Sequence, residues 1–453
     1  MAADPARTAA VSERPAPDVA YAQWIDACAL AGWRRQTQPE RVPVAGCLGR
    51  ITAGPVRADR ASPGFDCAAM DGIAVRAGAA AGRDQHGISG SPGRWRLAPA
   101  DFVWVDTGEP MPPGTDTVVE FERVNLDGNG DAWITGPAPR GRHVRPVGED
   151  FPAGQLLIPA GHQLRPQDLA AAAAAGHAAL DVVRRPRVAI IPTGNEIRPI
   201  GSALHTGEVT DSNSPMLAAQ VTEAGGSPLV SDVQPDDPPA IAAAVTRAAR
   251  HADLVLLVAG SGTGHRDHGP AVLADTGGLA VRGVAVRPGR PALLGYACPA
   301  QARGHRTDNA VGVSRPVPVI GVPGYPLAAV VIFELFAVRL LTALQGWNRR
   351  ERPRRRAQLA RDWTSSPDVE DWVPVSLAPL PAGPDARSAV LATPIRRGAG
   401  AISQLLRADA WWPIPIGQAG FRRGEQIDVQ PIPGAPAGLG SHDEAPPVRR
   451  RGG

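Results

Sequence analysis

The sequence predicts a multidomain α/β plus β protein built around a doubly wound parallel-sheet domain, and three observations carry that expectation. At 453 residues the chain is too long for one hydrophobic core. Between residues 187 and 344, short apolar runs alternate with helical stretches of about 10–15 residues, the rhythm of parallel strands joined by crossover helices. Elsewhere, over 76–148 and again after 356, apolar pairs alternate with Gly, Pro and Asp, an all-β pattern. The expected boundaries are a disordered N-terminus over 1–18, a discontinuous N-terminal domain over 19–53 and 149–184, and an inserted β-rich domain over 54–148. An α/β domain over 185–348, a C-terminal β-barrel-like domain over 349–433 and a disordered tail over 434–453 complete the chain.

Taken in order, Tyr21, Trp24, Ile25, Cys28 and Leu30 repeat at helical spacing, and Arg41 to Ile51 reads as extended. Phe102–Val105, Thr117–Glu120 and Ala132–Ile134 are the strands of the insert, and a helix starts near Pro166 and runs to Gly176. The α/β part offers strands at Val188–Ile191, Leu254–Ala259, Ala292–Leu294 and Val317–Val322. Its helices are expected over Pro215–Gly225, Pro239–His251 and Leu327–Leu344, and residues 299–316 read as a surface insert. Val373–Leu377 and Ile427–Pro431 are strands of the last domain.

Composition excludes several chemistries. The 47 Lys+Arg are all arginine, because the sequence contains no lysine, so neither a Walker A lysine nor a Schiff-base lysine exists. A net charge of +3 is small for this length, and the arginine runs at 349–356 and 449–451 read as solvated linker and tail rather than a nucleic-acid surface. Four cysteines without a CxxC pair suggest neither disulfides nor a cysteine zinc site. No apolar run is read as reaching the ~20 residues of a membrane span, and Met1 to Asp18 lacks a signal-peptide pattern, so the expected location is cytoplasmic, with no membrane partner.

Candidate chemistry gathers in loops after strands, where open α/β sheets bind ligands. After Leu254–Ala259 comes Gly260-Ser261-Gly262-Thr263-Gly264, whose amides and hydroxyls suit an anion, and then Asp267. Thr193-Gly194-Asn195-Glu196 ends the strand before it, and Asp211-Ser212-Asn213 stands directly before a helix, a place for capping or for an anion. Asp236 and Asp237 also precede a helix. Each such acid alone is an ordinary N-cap, but several converging on one sheet edge would hold Mg²⁺, which takes one or two carboxylates plus phosphate oxygens. Arg287 and Arg290, on a Pro/Gly turn, suit recognition of an oxyanion. His265-Arg-Asp267-His268 lacks the further ligands of a zinc site.

The motifs in their order resemble the MoeA family of molybdopterin molybdenumtransferases, relatives of the gephyrin E domain. They are Phe65-Asp-Cys-Ala-Ala-Met-Asp-Gly-Ile-Ala-Val75, Asp106-Thr-Gly-Glu-Pro-Met-Pro112, Gly148-Glu-Asp150, Leu164-Arg-Pro-Gln-Asp168, Pro192-Thr-Gly-Asn-Glu196, Asp211-Ser-Asn213, Asp236-Asp237, Arg287-Pro-Gly-Arg290 and Gly321-Val-Pro-Gly-Tyr-Pro326. The resemblance runs from about 20 to 432. It implies insertion of molybdate into adenylylated molybdopterin with release of AMP, assisted by Mg²⁺, in a homodimer, and it allows contact with molybdopterin adenylyltransferase. The fold it implies for the α/β domain is MogA-like.

Carried over, the catalytic set is Asp66, Asp150, Glu196, Asp237 and Asp267, with Asp66 and Asp150 given by the partner subunit. The metal set is Glu196, Asp237 and Asp267. The substrate set comprises Asp71, Thr193, Gly194, Asp211, Ser212, Asn213, Gly260 to Gly264, Arg287, Arg290, Pro323, Gly324 and Ser403. The chain departs from the commoner pattern in four places. The glycine loop is a shorter Ala-Gly-Ser type, Asn195 replaces an acid, Arg287 and Arg290 replace lysines, and Pro374 stands where an arginine is frequent. The alternative is a non-catalytic paralogue that binds or carries molybdate, nucleotide or cofactor. A gephyrin-like scaffold is disfavoured by the absence of an attached second enzyme domain.

Overall fold

The computed structural model describes residues 14–35, 38–78, 94–259, 268–299, 315–347, 353–380, 390–395 and 402–432. They fall into two compact units, one formed by residues 1–37 with 184–453 and the other by 38–183.

The larger unit holds a six-stranded sheet made of β1 (Arg187–Pro192), β2 (Ser227–Val230), β3 (Leu254–Ala259), β4 (Gly277–Arg282), β5 (Leu293–Ala297) and β6 (Val317–Pro323). Their spatial order is β2-β1-β3-β6-β5-β4. Strands β1, β3 and β6 run parallel, as expected, and β2, which the sequence reading does not include, joins them in parallel. The sheet then continues through β5 and β4, both antiparallel, an extension that the sequence reading misses for β4 because Gly277-Gly278 breaks the apolar rhythm. Val255, Leu256 and Leu257 on β3 are at most 1% exposed, so the central strand is covered on both faces, and two apolar clusters flank the sheet.

Among the described residues the longer helices of this unit are, in chain order, α1 (Pro17–Leu30), α2 (Asn213–Glu223), α3 (Pro238–Ala248), α4 (Gly269–Thr276) and α5 (Pro326–Gln345). Helix α5 contains a π-helical stretch over Phe333–Ala337. By length and composition α5 could cross a membrane, which corrects the sequence reading. It is instead the core helix of this unit, with 67% of its apolar window buried.

Helix α1 also corrects an expected boundary. Residues 19–37 belong with the α/β unit rather than with 149–184. The cause is one helix face: Ala20, Trp24 and Cys28 are fully buried, and the Trp24 indole donates to Gly295 O on β5 at 2.6 Å. The described chain begins at Arg14, and Ala285 N donates to Pro15 O, so the last residues of the expected disordered N-terminus are ordered.

The last domain in this unit is a closed five-stranded barrel. Its strands are β7 (Arg355–Leu359), β8 (Glu370–Pro379), β9 (Val390–Pro394), β10 (Ala410–Ile414) and β11 (Gln426–Pro431), joined in the cycle β8-β9-β7-β11-β10-β8. Closure leaves no strand edge to protect. A short strand of the α/β domain, Val286–Arg287, pairs in parallel with Glu370–Asp371 of β8 and stitches the two domains together.

In the other unit Pro39–Pro43 pairs with Ala179–Val183, and Val56–Arg57 with Leu156–Ile158, so distant segments share one core. Within Arg41–Ile51 the extended part ends at Pro43, where a 3-10 turn follows. Two three-stranded antiparallel sheets form the expected β-rich insert, packed around Ile73, Val119 and Ile134. Residues 300–314 of the expected 299–316 insert and the tail beyond 432 lie outside the described residues.

Candidate active site

A cleft of about 520 Å³ opens at the carboxyl ends of β1, β3 and β6. Five residues of the expected substrate set line it, Thr193, Asp211, Ser212, Asn213 and Gly324, together with Glu196 of the expected catalytic and metal sets. They come from three loops that the sheet topology makes neighbours.

The first loop is held from below and from the side. Thr193 N and Oγ1 both donate to Val258 O, at 2.9 and 3.0 Å, tying the end of β1 to the end of β3. Gly194 N donates to Gln234 O at 3.1 Å. Gly194 has φ of +146°, and a Cβ there would meet Ile197 Cγ1 at 2.7 Å and Glu196 Oε2 at 3.0 Å. Only glycine therefore lets the chain turn so that the Glu196 carboxylate folds back over it. Asn195 gains a physical reason as well. Its amide donates to Asp236 Oδ2 and its Oδ1 accepts from Asp236 N, both at 3.2 Å, an arrangement in which a carboxylate at 195 would face a like charge.

The second loop leads into α2. Asp211 Oδ1 accepts from Ser214 N at 3.0 Å and so performs the capping role. Asn213 donates from Nδ2 to Gly324 O at 2.7 Å, while its Oδ1 and the Ser214 hydroxyl are buried without a partner. Asn213 is 7% exposed. A buried acceptor with no partner is costly unless a ligand satisfies it. Its position on the cleft wall makes it the strongest polar signal of a bound molecule.

The third loop is Gly324-Tyr325, after buried Pro323 ends β6. Ile402 completes the wall from the barrel domain, on the short helix Ile402–Leu406. Ser403 is its exposed neighbour. The sequence reading had no signal for Ile402, whose place depends on how the barrel docks.

Other expected residues stand apart from this cleft. Asp237 is the N-cap of α3, accepting from Ala240 N at 3.1 Å, which is the structural role weighed for it. Arg287 and Arg290 lie at the seam with the barrel, where Arg287 forms a two-pronged pair with Asp371 through Nε at 3.1 Å and Nη2 at 2.7 Å. That hydrogen bonding raises the Arg287 pKa further. Pro374, on β8, is buried in the barrel wall. Gly260, Ser261, Gly262, Thr263, Gly264 and Asp267 lie outside the described residues.

In the smaller unit, Asp66 Oδ1 accepts from Val147 N at 2.8 Å, and Asp150 N donates to Ser62 O at 3.0 Å, so the loops carrying Asp66 and Asp150 are bonded together. Both carboxylates are exposed. Asp71 Oδ1 accepts from the hydroxyl and amide of Thr107, at 2.6 and 2.7 Å, and that hydroxyl above all holds its carboxyl below the usual range.

Among the described residues, no group of three or more His, Cys, Asp or Glu could hold a metal. Glu196 is an exposed carboxylate on the cleft, which matches the Mg²⁺ habit of using one or two carboxylates with substrate phosphates.

The three family models that match the chain run in the same order as these domains. Residues 18–176 match the MoeA N-terminal region (domain I and II), 189–343 a probable molybdopterin binding domain, and 356–432 the MoeA C-terminal region (domain IV). A molybdopterin molybdenumtransferase of Nostoc sp. is 32% identical over 328 residues, 69% of this chain and 70% of that one. The chain belongs to the MoeA family. A second relative, molybdopterin molybdenumtransferase 2 of Mycobacterium tuberculosis, is 32% identical over 357 residues, 74% of this chain and 82% of that one. The crystal structure of the molybdopterin biosynthesis moea protein from Pyrococcus horikosii superposes with a TM-score of 0.71 at 27% identity, covering 90% of this chain and 98% of that chain. The chain is thus an enzyme of molybdenum cofactor biosynthesis, a molybdenumtransferase by its MoeA relatives.

Proposed function

We propose that the cleft binds adenylylated molybdopterin and that the enzyme inserts molybdenum from molybdate, releasing AMP and forming the molybdenum cofactor. The observation that carries this reading is the pairing, on one cleft wall, of a buried acceptor without a partner, Asn213 Oδ1, and an exposed carboxylate, Glu196. Asn213 Oδ1 accepts an N–H of the substrate, and its Nδ2 bond to Gly324 O fixes that orientation. The Thr193–Val258 bonds hold the cleft floor rigid, so substrate binding orders little that is not already fixed.

Glu196 would hold Mg²⁺ at the cleft, and Asp237 and Asp267 are the further carboxylates that the family resemblance assigns to the metal. Bound there, Mg²⁺ supplies charge neutralisation on the phosphoanhydride, which makes AMP a better leaving group. The arginines at 287 and 290 supply positive charge for molybdate, and the dithiolene sulfurs that take the metal belong to the substrate. Asp66 and Asp150 of the partner subunit complete the site in a homodimer, and the substrate arrives from molybdopterin adenylyltransferase.

A carrier without turnover is the second reading. It is favoured by Pro374 and by the Arg287–Asp371 pair, which occupies one of the two oxyanion arginines. Incubating the purified protein with adenylylated molybdopterin, Mg²⁺ and molybdate separates the two. AMP and active cofactor are expected together. Tight nucleotide binding without AMP would leave only the carrier.

A further inference from the structure

The two arginines of the Arg287-Pro-Gly-Arg290 turn are not equivalent. The turn itself is fixed: Gly289 has φ of +120°, and a Cβ there would stand 2.7 Å from Ile332 Cδ1 of α5. From this one anchor the side chains diverge. Arg287 engages both oxygens of Asp371, which is 2% exposed and also accepts the Ser365 hydroxyl at 2.9 Å. Opening the pair would take a two-pronged cation away from a buried carboxylate, so the pair stays closed. Arg290 reaches Asp368 through one contact only, at 3.4 Å, and the two side chains are 49% and 65% exposed. Contacts of that kind exchange readily with other anions.

Resting on the proposed molybdate chemistry, we propose that Asp368 is a tethered competitor for the oxyanion. Arg290 takes the incoming tetrahedral dianion by releasing Asp368, while Arg287 stays locked on Asp371. Asp368 has its own anchor, the Ser366 hydroxyl, which donates to Oδ1. That bond above all, then its own backbone N–H, and after them the charges of Arg290 and Arg287, hold the Asp368 carboxyl below the usual range, so it competes as a full negative charge at neutral pH.

The consequence is specificity. A dianion with four oxygens offers Arg290 more charge and more acceptors than one carboxylate at similar distance, whereas a monoanion gains little by displacing it. Asp368 therefore sets a threshold that molybdate passes and chloride or formate does not.

The test is calorimetric titration of the full chain with sodium molybdate, with formate as the monoanion. Asp368→Asn is expected to tighten molybdate binding about fivefold and to let formate bind measurably, while Arg290→Gln weakens molybdate by about tenfold or more. Asp368→Glu restores the wild-type preference, which a merely structural role would not do. Thermal melts of each variant check folding, and Asp368→Ser serves if the Asn variant melts early. Molybdate bound by the wild type with unchanged affinity in Asp368→Asn overturns the competitor role alone. No molybdate binding by the wild type at all sinks the oxyanion reading itself, and the competitor role with it.

Discussion

The cleft at the ends of β1, β3 and β6 and the seam between the α/β domain and the barrel are both rich in polar side chains, yet they are finished in opposite ways. At the seam the buried carboxylate has donors: Asp371 holds Arg287 and the Ser365 hydroxyl. At the cleft, Asn213 Oδ1 is buried without a partner, and Glu196 is exposed beside a glycine that admits no side chain. A satisfied buried polar group holds a fold together, and an unsatisfied one waits for a ligand. The difference shows why a list of charged residues near a sheet edge does not by itself map a site.

The largest effect expected from this contrast is at the seam. Asp371→Ala should lower stability by about 3 kcal/mol, because it strands Arg287 beside the barrel wall. Chemical denaturation of the full chain measures it, and a loss well under about 1 kcal/mol would mean the seam is no more than a surface contact. Glu196→Gln should act the other way round. Turnover is expected to fall about a hundredfold, equivalent to ~2.7 kcal/mol of transition-state stabilisation, with the denaturation midpoint unmoved. Equal losses of folding and turnover would place Glu196 with Asp371 rather than against it. The smallest effect belongs to Asn213→Ala, which removes the Nδ2 bond to Gly324 O and the unpartnered acceptor together. Stability should change by about 1 kcal/mol, and KM for the adenylylated substrate should rise about tenfold with kcat nearly preserved. A large stability loss with unchanged KM would show that Oδ1 is silent in binding.

Much of the cleft was legible in the sequence because its parts are local. The strand Leu254–Ala259 announces itself as six apolar residues, and its observed bounds are those of the run. Gly194 is required by a turn four residues long, and Asp211 caps a helix three residues away, so neighbours in sequence suffice to place both. The helix α2 starts at Asn213, two residues before the expected Pro215, because the Asp211 cap begins it earlier. Asp237 shows the limit of such reasoning. Its position before a helix marks it first as an ordinary cap, and only the resemblance makes it a ligand; the bond from Ala240 N supplies the cap.

What could not be read is everything that depends on a distant partner. The sequence by itself determined the alternation of strands and helices, the β-rich flanks, the loops with glycine and acid, and the order of motifs that marks the family, since these follow from backbone preference and spacing along the chain. Tertiary structure alone decided that α1 serves the α/β unit through Trp24 and Gly295, which lie 271 residues apart. It also decided that Arg287 meets Asp371 across 84 residues while Arg290 keeps only an exposed contact. The physical reason is common to both: burial and pairing are properties of what packs against a side chain, and two arginines on the same turn carry identical chemistry until the barrel supplies one of them with a buried carboxylate and leaves the other in water.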